Sequence, residues 1–290
     1  MTSSISPEKK GDFNHNNFPS ADGSKGVLPL FRLNGRTAIV SGAGQGIGLG
    51  VAQALAEAGA NVAIWYNSNK KALDRAAEIE KKYGVKCKAY QVDVLNPDHV
   101  AEVIEEIVKE FNGRLDIVVA NQGVPWQKGA MGEGDRKEKI EHYQKVVRTD
   151  LDGTFYIARI AGKDLNGNKL ENYLGGSFVA TASMSGLIVN IPQMQAAYNA
   201  AKAGVIHLCK SLAVEWAAFA RANCVCPGYM ATEISNFVPK ETQDLWNDKT
   251  PQGRPGQVSE LQGAFLYLAS DASSFTTGAS LVVDGGYSAP

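Results

Sequence analysis

From Thr37 onward, short apolar runs alternate with longer stretches in which apolar residues recur every three or four positions. The run Thr37 to Val40 precedes a helical pattern through Gly46 to Ala58, and the apolar Asn61 to Tyr66 follows. The alternation continues with a helix over Lys70 to Tyr83, a strand over Lys86 to Val92, a helix over Asp98 to Phe111 and a strand over Leu115 to Ala120. A longer helical stretch near Lys137 to Gly162, a strand at Ser177 to Thr181 and a helix from about Tyr198 to Ala218 come next. Strands at Ala222 to Cys226 and Ser280 to Val283 complete a set of seven. Strands that alternate with helices at this pitch predict a parallel sheet covered on both faces. The expected class is therefore α/β, a doubly wound seven-stranded parallel sheet with helices on both faces.

The helix from Tyr198 carries Ala200, Ala201, Ala203, Val205, Ile206, Leu208, Leu212, Ala213 and Trp216 around most of its circumference. A helix apolar nearly all round is buried on both sides. One side faces the sheet, and the other meets either a second subunit or the chain's own loops. Residues 1–27 mix Ser, Lys, Gly, Asn and Pro with few large apolar groups, too little to offset the entropy of ordering. A flexible arm is expected there, and one domain over residues 28–290. A chain of 290 residues, 44% hydrophobic, buries one substantial core, and no repeat or shift of composition argues for two.

A formal net charge of -1 gives no global field to attract nucleic acid or an anionic membrane. No apolar stretch is long enough to span a bilayer, and the N-terminus lacks the apolar core of a secretory signal. Lys9, Lys10 and Lys25 are offset by Glu8, Asp12 and Asp22, with no arginine among them, which argues against a mitochondrial presequence. The expected location is the cytoplasm and the expected partner a small molecule. Cys87, Cys209, Cys224 and Cys226 lack metal-ligand spacing and read as reduced core residues. His15, His99, His142 and His207 are scattered away from the motifs, so no metal site is expected.

Three stretches carry chemistry. Ser41-Gly42-Ala43-Gly44-Gln45-Gly46-Ile47-Gly48 is a glycine-rich turn between a strand and a helix, spelling G-x-x-x-G-x-G at Gly42, Gly46 and Gly48. Such a turn seats a pyrophosphate on backbone amides, where the helix dipole favours an anion. Tyr198 and Lys202 stand four residues apart on one helical face, so the ammonium stabilises a phenolate and suits the phenol to protonating a carbonyl oxygen. Ser183 lies just after the fifth strand. Alone, a glycine turn often binds nothing, and a Y-x-x-x-K pair is often only a solvated face or a packed tyrosine. Both at this separation, with Asn121-Gln122-Gly123 and Pro227-Gly228 at strand ends, make coincidence a poor explanation.

These residues resemble the short-chain dehydrogenase/reductase family from about Phe31 to the C-terminus, with its Rossmann-like fold. The resemblance implies cofactor contacts at Gly42, Gln45, Gly46, Ile47 and Gly48, an adenine-contacting acid at Asp93, and further contacts from Asn121 and Gly123. It implies a catalytic Ser183, Tyr198 and Lys202, the last two also touching the cofactor, and a segment Pro227, Gly228, Met230 and Thr232 that holds the nicotinamide end. The runs Ile64-Trp65-Tyr66-Asn67-Ser68, Asn190-Ile191-Pro192-Gln193, Phe237 to Thr242 and Val283 to Tyr287 are most similar to fungal NADP-dependent ketose and polyol reductases of carbohydrate metabolism. Two positions depart from the family pattern. Asp150 stands where most members have asparagine, and Gln122 replaces an alanine. The family asparagine is thought to act through its backbone carbonyl, positioning a water that leads to the lysine, so Asp150 keeps a catalytic assignment. The alternative is that Asp150 is partly solvated and paired with Arg148 or Lys145. Homotetramers are common in the family and fit the apolar tyrosine helix.

An acid at the end of the second strand would grip a ribose 2'-hydroxyl and repel a 2'-phosphate. Here the strand ends Tyr66-Asn67-Ser68-Asn69-Lys70-Lys71, with amide, hydroxyl and ammonium groups and no acid, which favours NADP(H). Substrate loops belong after the strands, at Val124-Pro125-Trp126-Gln127, at Ile191 to Met194, and in a mobile lid from about Thr232 to Arg254 holding Phe237 and Trp246. Gln122, Gln127 and Gln193 offer amides for hydroxyls beside the flat wall of Trp126. The leading expectation is an NADPH-dependent, reversible ketose reductase acting on substrates such as L-xylulose, L-sorbose or D-fructose. A stereoselective carbonyl reductase of bulkier ketones and a non-catalytic NADP-binding sensor remain alternatives.

Overall fold

The computed structural model describes His15 and residues 20–167, 175–233 and 238–290. The arm expected over residues 1–27, apart from His15 and residues 20–27, and the lid residue Phe237 lie outside the described residues.

Seven strands form one parallel sheet: β1 (Thr37–Val40), β2 (Asn61–Tyr66), β3 (Cys87–Gln91), β4 (Ile117–Ala120), β5 (Gly176–Thr181), β6 (Ala220–Pro227) and β9 (Ser280–Val283). Their order is β3-β2-β1-β4-β5-β6-β9, every neighbour parallel, as the alternation of strands and helices demands. Between β6 and β9 lie two short strands that sequence patterning missed, β7 (Met230–Ala231) and β8 (Gly256–Gln257), which pair only with each other. Two-residue strands carry no periodicity to read.

Successive residues of a strand point to opposite faces, and the core divides accordingly. On one face, Ala38, Val40, Ile117, Val119, Val179 and Val225 pack under α1 (Gly46–Glu57), α2 (Lys71–Tyr83) and α8 (Val258–Ala269). On the other, Ile39, Val118, Phe178, Cys224 and Cys226 pack under α3 (Pro97–Glu110), α5 (Gly153–Gly167) and α6 (Ala196–Glu215). All four cysteines are buried free thiols. Phe178 meets Trp216 edge to face at 5.8 Å. Among the described residues no helix is long and apolar enough to cross a membrane, and no group of His, Cys, Asp or Glu is placed to hold a metal ion.

The long helix expected near Lys137 to Gly162 is three pieces. α4 (Arg136–Val147) runs into a single π-helical turn, Arg148–Asp152, and then into α5. A π turn inserts an extra residue and rotates the helical phase. It turns Asp150 fully inward. The remaining helix is α7 (Lys240–Lys249), before β8.

Candidate active site

The C-terminal ends of the parallel strands bring the chemistry to one edge of the sheet, the usual location in open α/β folds. After β1 the chain turns through Gly42 (φ 61°) and Gly46 (φ 58°), backbone that L side chains rarely adopt. Gly48 is required for a different reason. A Cβ there would run into the Gly42 carbonyl and would sit 2.9 Å from Ala43 Cα. No side chain caps the first turn of α1, because the Gln45 amide instead accepts from Asn69 Nδ2 at 2.8 Å. The bare, glycine-lined helix start fits a diphosphate.

At the β2 end, Tyr66 is buried while Asn67, Ser68, Lys70 and Lys71 are exposed and no carboxylate intervenes. This donor set matches a 2'-phosphate. Asp93 is exposed after β3, where its carboxylate accepts the Leu95 N–H at 3.0 Å. Asn121 ties three strand ends together: its N–H donates to Ser41 Oγ at 2.9 Å, its amide donates to the Ser41 carbonyl at 3.2 Å, and its Oδ1 accepts from Thr181 at 3.0 Å. Gly228 lets the turn after β6 press on the tail, since a Cβ there would be 2.7 Å from Asp284 Cα. Thr232 lies across from Gly46, its methyl 3.8 Å from where a Cβ would stand, and Met230 is buried beside Gly256.

Ser183 ends the segment after β5 in extended conformation, and its Oγ accepts the Ser185 N–H at 3.1 Å. Its own hydroxyl proton is thereby left to donate elsewhere. Gly186 lets this turn lie directly on α6, because a Cβ there would approach the Lys202 carbonyl carbon to 2.7 Å. Ser183 and the Tyr198 helix are brought together by that contact. Tyr198 is half-buried, packed against a small cluster of Trp126, Val146 and Ala197. The Lys202 ammonium lies 5.5 Å from the Tyr198 ring centroid.

Lys202 is 3% exposed, and its Nζ donates to the Thr181 carbonyl at 3.0 Å. Its counter-ion is Asp150, whose Oδ2 faces Nζ at 3.3 Å without the alignment of a hydrogen bond. Asp150 Oδ1 accepts the Val124 N–H at 2.7 Å. A side chain at position 123 would crowd both groups, at 3.2 Å from Asp150 Oδ2 and 3.3 Å from Lys202 Nζ, which explains Gly123. Burial, the largest single influence, works against the charge on Lys202, but Asp150 and Tyr198 together overcome it and the lysine's pKa is raised. Burial also raises Asp150 above the usual carboxylate range, with Lys202 and the Val124 amide pulling the other way.

One reading of Asp150 changes here. It is fully buried and pairs with neither Arg148 nor Lys145; its carboxylate faces Lys202 instead. Its backbone carbonyl, the atom to which the resemblance assigned the role, accepts the Thr154 hydroxyl at 2.7 Å. Nothing in the local sequence distinguishes these options, because the choice depends on the π turn.

Of the expected substrate contacts, Gln122 does not reach this group. It is buried, its Oε1 accepting from Ser41 Oγ and its Nε2 donating to Thr154 at 3.1 Å. Trp126 is also buried, its Nε1 donating to the Gly129 carbonyl at 2.6 Å and its ring tilted on His142 at 4.8 Å. Gln193 is half-buried and accepts the Tyr229 hydroxyl at 2.9 Å. Tyr229, missed in the sequence, also stacks on Trp246 of α7 with ring centroids 4.0 Å apart.

Residues 42–288 match the family profile described as "Enoyl-(Acyl carrier protein) reductase", a branch of the short-chain alcohol dehydrogenases. The chain is 58% identical to the L-xylulose reductase of Hypocrea jecorina over 97% of its length and 100% of that protein's. It is 52% identical to a probable NADP-dependent mannitol dehydrogenase of Yarrowia lipolytica, over 92% of each chain. The crystal structure of an NADPH-dependent 3-quinuclidinone reductase from Rhodotorula rubra superposes with a TM-score of 0.83 at 39% identity, covering 98% of this chain and 100% of that one.

Proposed function

Because this chain belongs to the short-chain dehydrogenase/reductase family, we propose that it is an NADPH-dependent oxidoreductase that reversibly reduces a ketose carbonyl to a polyol. Its substrates are of the L-xylulose, L-sorbose or D-fructose class. The named activities of its relatives support the substrate class, and the acid-free end of β2 supports the cofactor. The observation that carries the reading is the buried Lys202, held between Asp150 and the Thr181 carbonyl beneath the Tyr198 ring.

Gly42, Gln45, Gly46, Ile47 and Gly48 hold the diphosphate, Asn67 and Ser68 the 2'-phosphate, and Asp93 the adenine. Tyr66, Asn121, Gly123, Pro227, Gly228, Met230 and Thr232 complete the cofactor's bed. When bound, NADPH supplies the hydride. Ser183 donates its free hydroxyl proton to the substrate carbonyl oxygen, and Tyr198 transfers its proton to the same oxygen as negative charge grows there. Placed donors of this kind are commonly worth several kcal/mol in the transition state. Lys202 stabilises the tyrosinate left behind, and Asp150 keeps Lys202 charged and in place. Residues 28–290 act as one catalytic unit, preceded by an arm and assembled as a cytoplasmic homotetramer.

The test is NADPH oxidation at neutral pH against four- to six-carbon ketoses and several aryl ketones, with NADH and a Tyr198→Phe protein as controls. Turnover of ketoses with NADPH, reduced about 1,000-fold in Tyr198→Phe as expected for a general acid, is the predicted result. A second reading, reduction of bulkier apolar ketones, draws on the exposed Leu187, Val189, Ile191 and Met194 on the loop between Ser183 and Tyr198. Turnover confined to the aryl ketones would select it, and tight NADPH binding without turnover would leave the NADP sensor.

A further inference from the structure

Tyr229 follows the Pro227-Gly228 turn at the end of β6, and two separate segments fix its ring. Trp246 of α7 lies face to face with it at 4.0 Å and 4°. Tyr287 of the C-terminal tail meets it edge to face, at 5.4 Å and 86°. The tail is itself locked, with Asp284 accepting from Gly286 N at 2.9 Å and from the Ser288 N–H and hydroxyl. A phenol ring so held places its oxygen at one point in space.

That oxygen has a defined hydrogen-bond polarity. Asn190 Nδ2 donates to it at 3.1 Å, so the phenolic proton goes to Gln193 Oε1 at 2.9 Å. Asn190 cannot reverse, because its Oδ1 accepts from Gln195 Nε2 at 2.9 Å. Ser185 Oγ at 3.1 Å and Asn199 Oδ1 at 3.0 Å share the second hydrogen of Gln195 Nε2. The Ser185 N–H donates to Ser183 Oγ, and Asn199 adjoins Tyr198, so the chain of donors begins beside the catalytic pair. It ends at Gln193, whose Oε1 is engaged and whose Nε2 has no hydrogen-bond partner among the described residues. Gln193 stands on the loop between Ser183 and Tyr198.

We propose that Tyr229 is a positioning residue for substrate selectivity: its hydroxyl pins the Gln193 carbonyl oxygen so that the amide N–H pair is presented to a hydroxyl of a polyhydroxylated substrate. Without that hydroxyl the terminal amide turns freely about its last torsion, and Asn190 loses an acceptor. A site built to donate to a substrate hydroxyl discriminates against analogues lacking it, because the donor would give up its water on binding and gain no partner in return. Tyr229 thus acts on binding of the substrate's distal hydroxyls and leaves proton transfer at Tyr198 untouched. The proposal rests on the ketose reading given above.

The test is a double-mutant cycle of Tyr229→Phe and Gln193→Met, with L-xylulose, D-fructose and the hydroxyl-poor cyclohexanone as substrates. Tyr229→Phe keeps the stacked ring, and a thermal melt within a few degrees of the parent verifies this. It is expected to raise KM for both ketoses about tenfold, to keep kcat within twofold, and to change KM for cyclohexanone less than twofold. Gln193→Met is expected to raise the ketose KM by a similar factor, with the double variant no worse than either single one, since coupled residues fail to add. An unchanged ketose KM in Tyr229→Phe, an equal rise for cyclohexanone, a fall confined to kcat, or additive effects would overturn the assignment while the ketose reading stands. Should Tyr229→Phe misfold, Gln193→Met alone decides, because an unchanged ketose KM there removes the contact Tyr229 is said to aim. A parent protein that reduces cyclohexanone but no ketose would overturn the proposed function and this assignment with it.

Discussion

Replacing Asp150 probes the site where it is most buried. The carboxylate is fully inaccessible and its Oδ2 stands 3.3 Å from Lys202 Nζ. At an effective dielectric constant of about 20 the two charges attract by about 5 kcal/mol, most of which offsets the desolvation of the pair. Removing one partner of a buried pair typically costs about 3–5 kcal/mol. Asp150→Ala also strands the Val124 N–H, so a loss of about 4 kcal/mol or more is expected. Asp150→Asn retains an oxygen for Val124 and is expected to lose about 2 kcal/mol at pH 7. The pH dependence carries the sharper test. In the parent protein the raised pKa of Lys202 contributes stability that is fully present below the unfolded lysine value, about 10.4, and is lost only as pH rises through the folded value. In Asp150→Asn, burial acts on Lys202 without the carboxylate to oppose it, so its folded value drops below the unfolded one. The native state then binds fewer protons than the unfolded chain, and stability rises with pH. The deficit of the variant should shrink between about pH 8 and pH 10, in urea unfolding at fixed protein concentration. A deficit below 0.5 kcal/mol at pH 7, or one that stays constant or grows toward pH 10, would refute the charge-pair reasoning.

Three further outcomes are expected. Gly48→Ala should raise KM for NADPH at least tenfold with the fold intact, because the added methyl displaces the Gly42 carbonyl that shapes the turn; steady-state kinetics and a thermal melt separate the two effects. Replacing Asn67 and Ser68 by Asp should move the preference toward NADH by tenfold or more, read as the ratio of kcat/KM values for the two cofactors, since an acid there repels a 2'-phosphate. His142 is lowered by burial, reinforced by Lys128 and Lys145, and its Nε2 accepts the Gln127 N–H at 3.2 Å. Its contribution is therefore fully present above about pH 6.5 and lost as pH falls, so the Tm advantage of the parent over His142→Gln should narrow between pH 7.5 and pH 5.5.

The sheet was legible because its evidence is local: each strand is a short apolar run, each helix a periodic stretch, and parallel order follows from alternation. The glycine turn, Ser183, Tyr198 and Lys202 were legible for the same reason. Asp150 was visible as a departure but its partner was not, since the π turn that swings it inward leaves no periodic signature. Gln122 was expected among substrate contacts because it follows β4; its side chain points instead to Ser41 and Thr154, a choice of face that the end of a strand does not announce. Tyr229 was overlooked because its setting is assembled from β6, α7, the tail and the Ser183 loop, four segments distant in sequence. Apart from the long helix that the π turn divides, the expected helix boundaries shifted by a few residues at most, as fraying ends do.

All four thiols lie inside the fold, with Cys209, Cys224 and Cys226 wholly inaccessible, and burial pushes Cys87 up to about 12. Alkylating reagents attack the thiolate and need access to it. The native protein should therefore be silent to them, and each labelled cysteine would date an opening event of its own neighbourhood: Cys87 that of the β3 edge, the other three that of the sheet beneath α6. Without any engineered probe, the chain carries a clock for the order in which its two halves come apart.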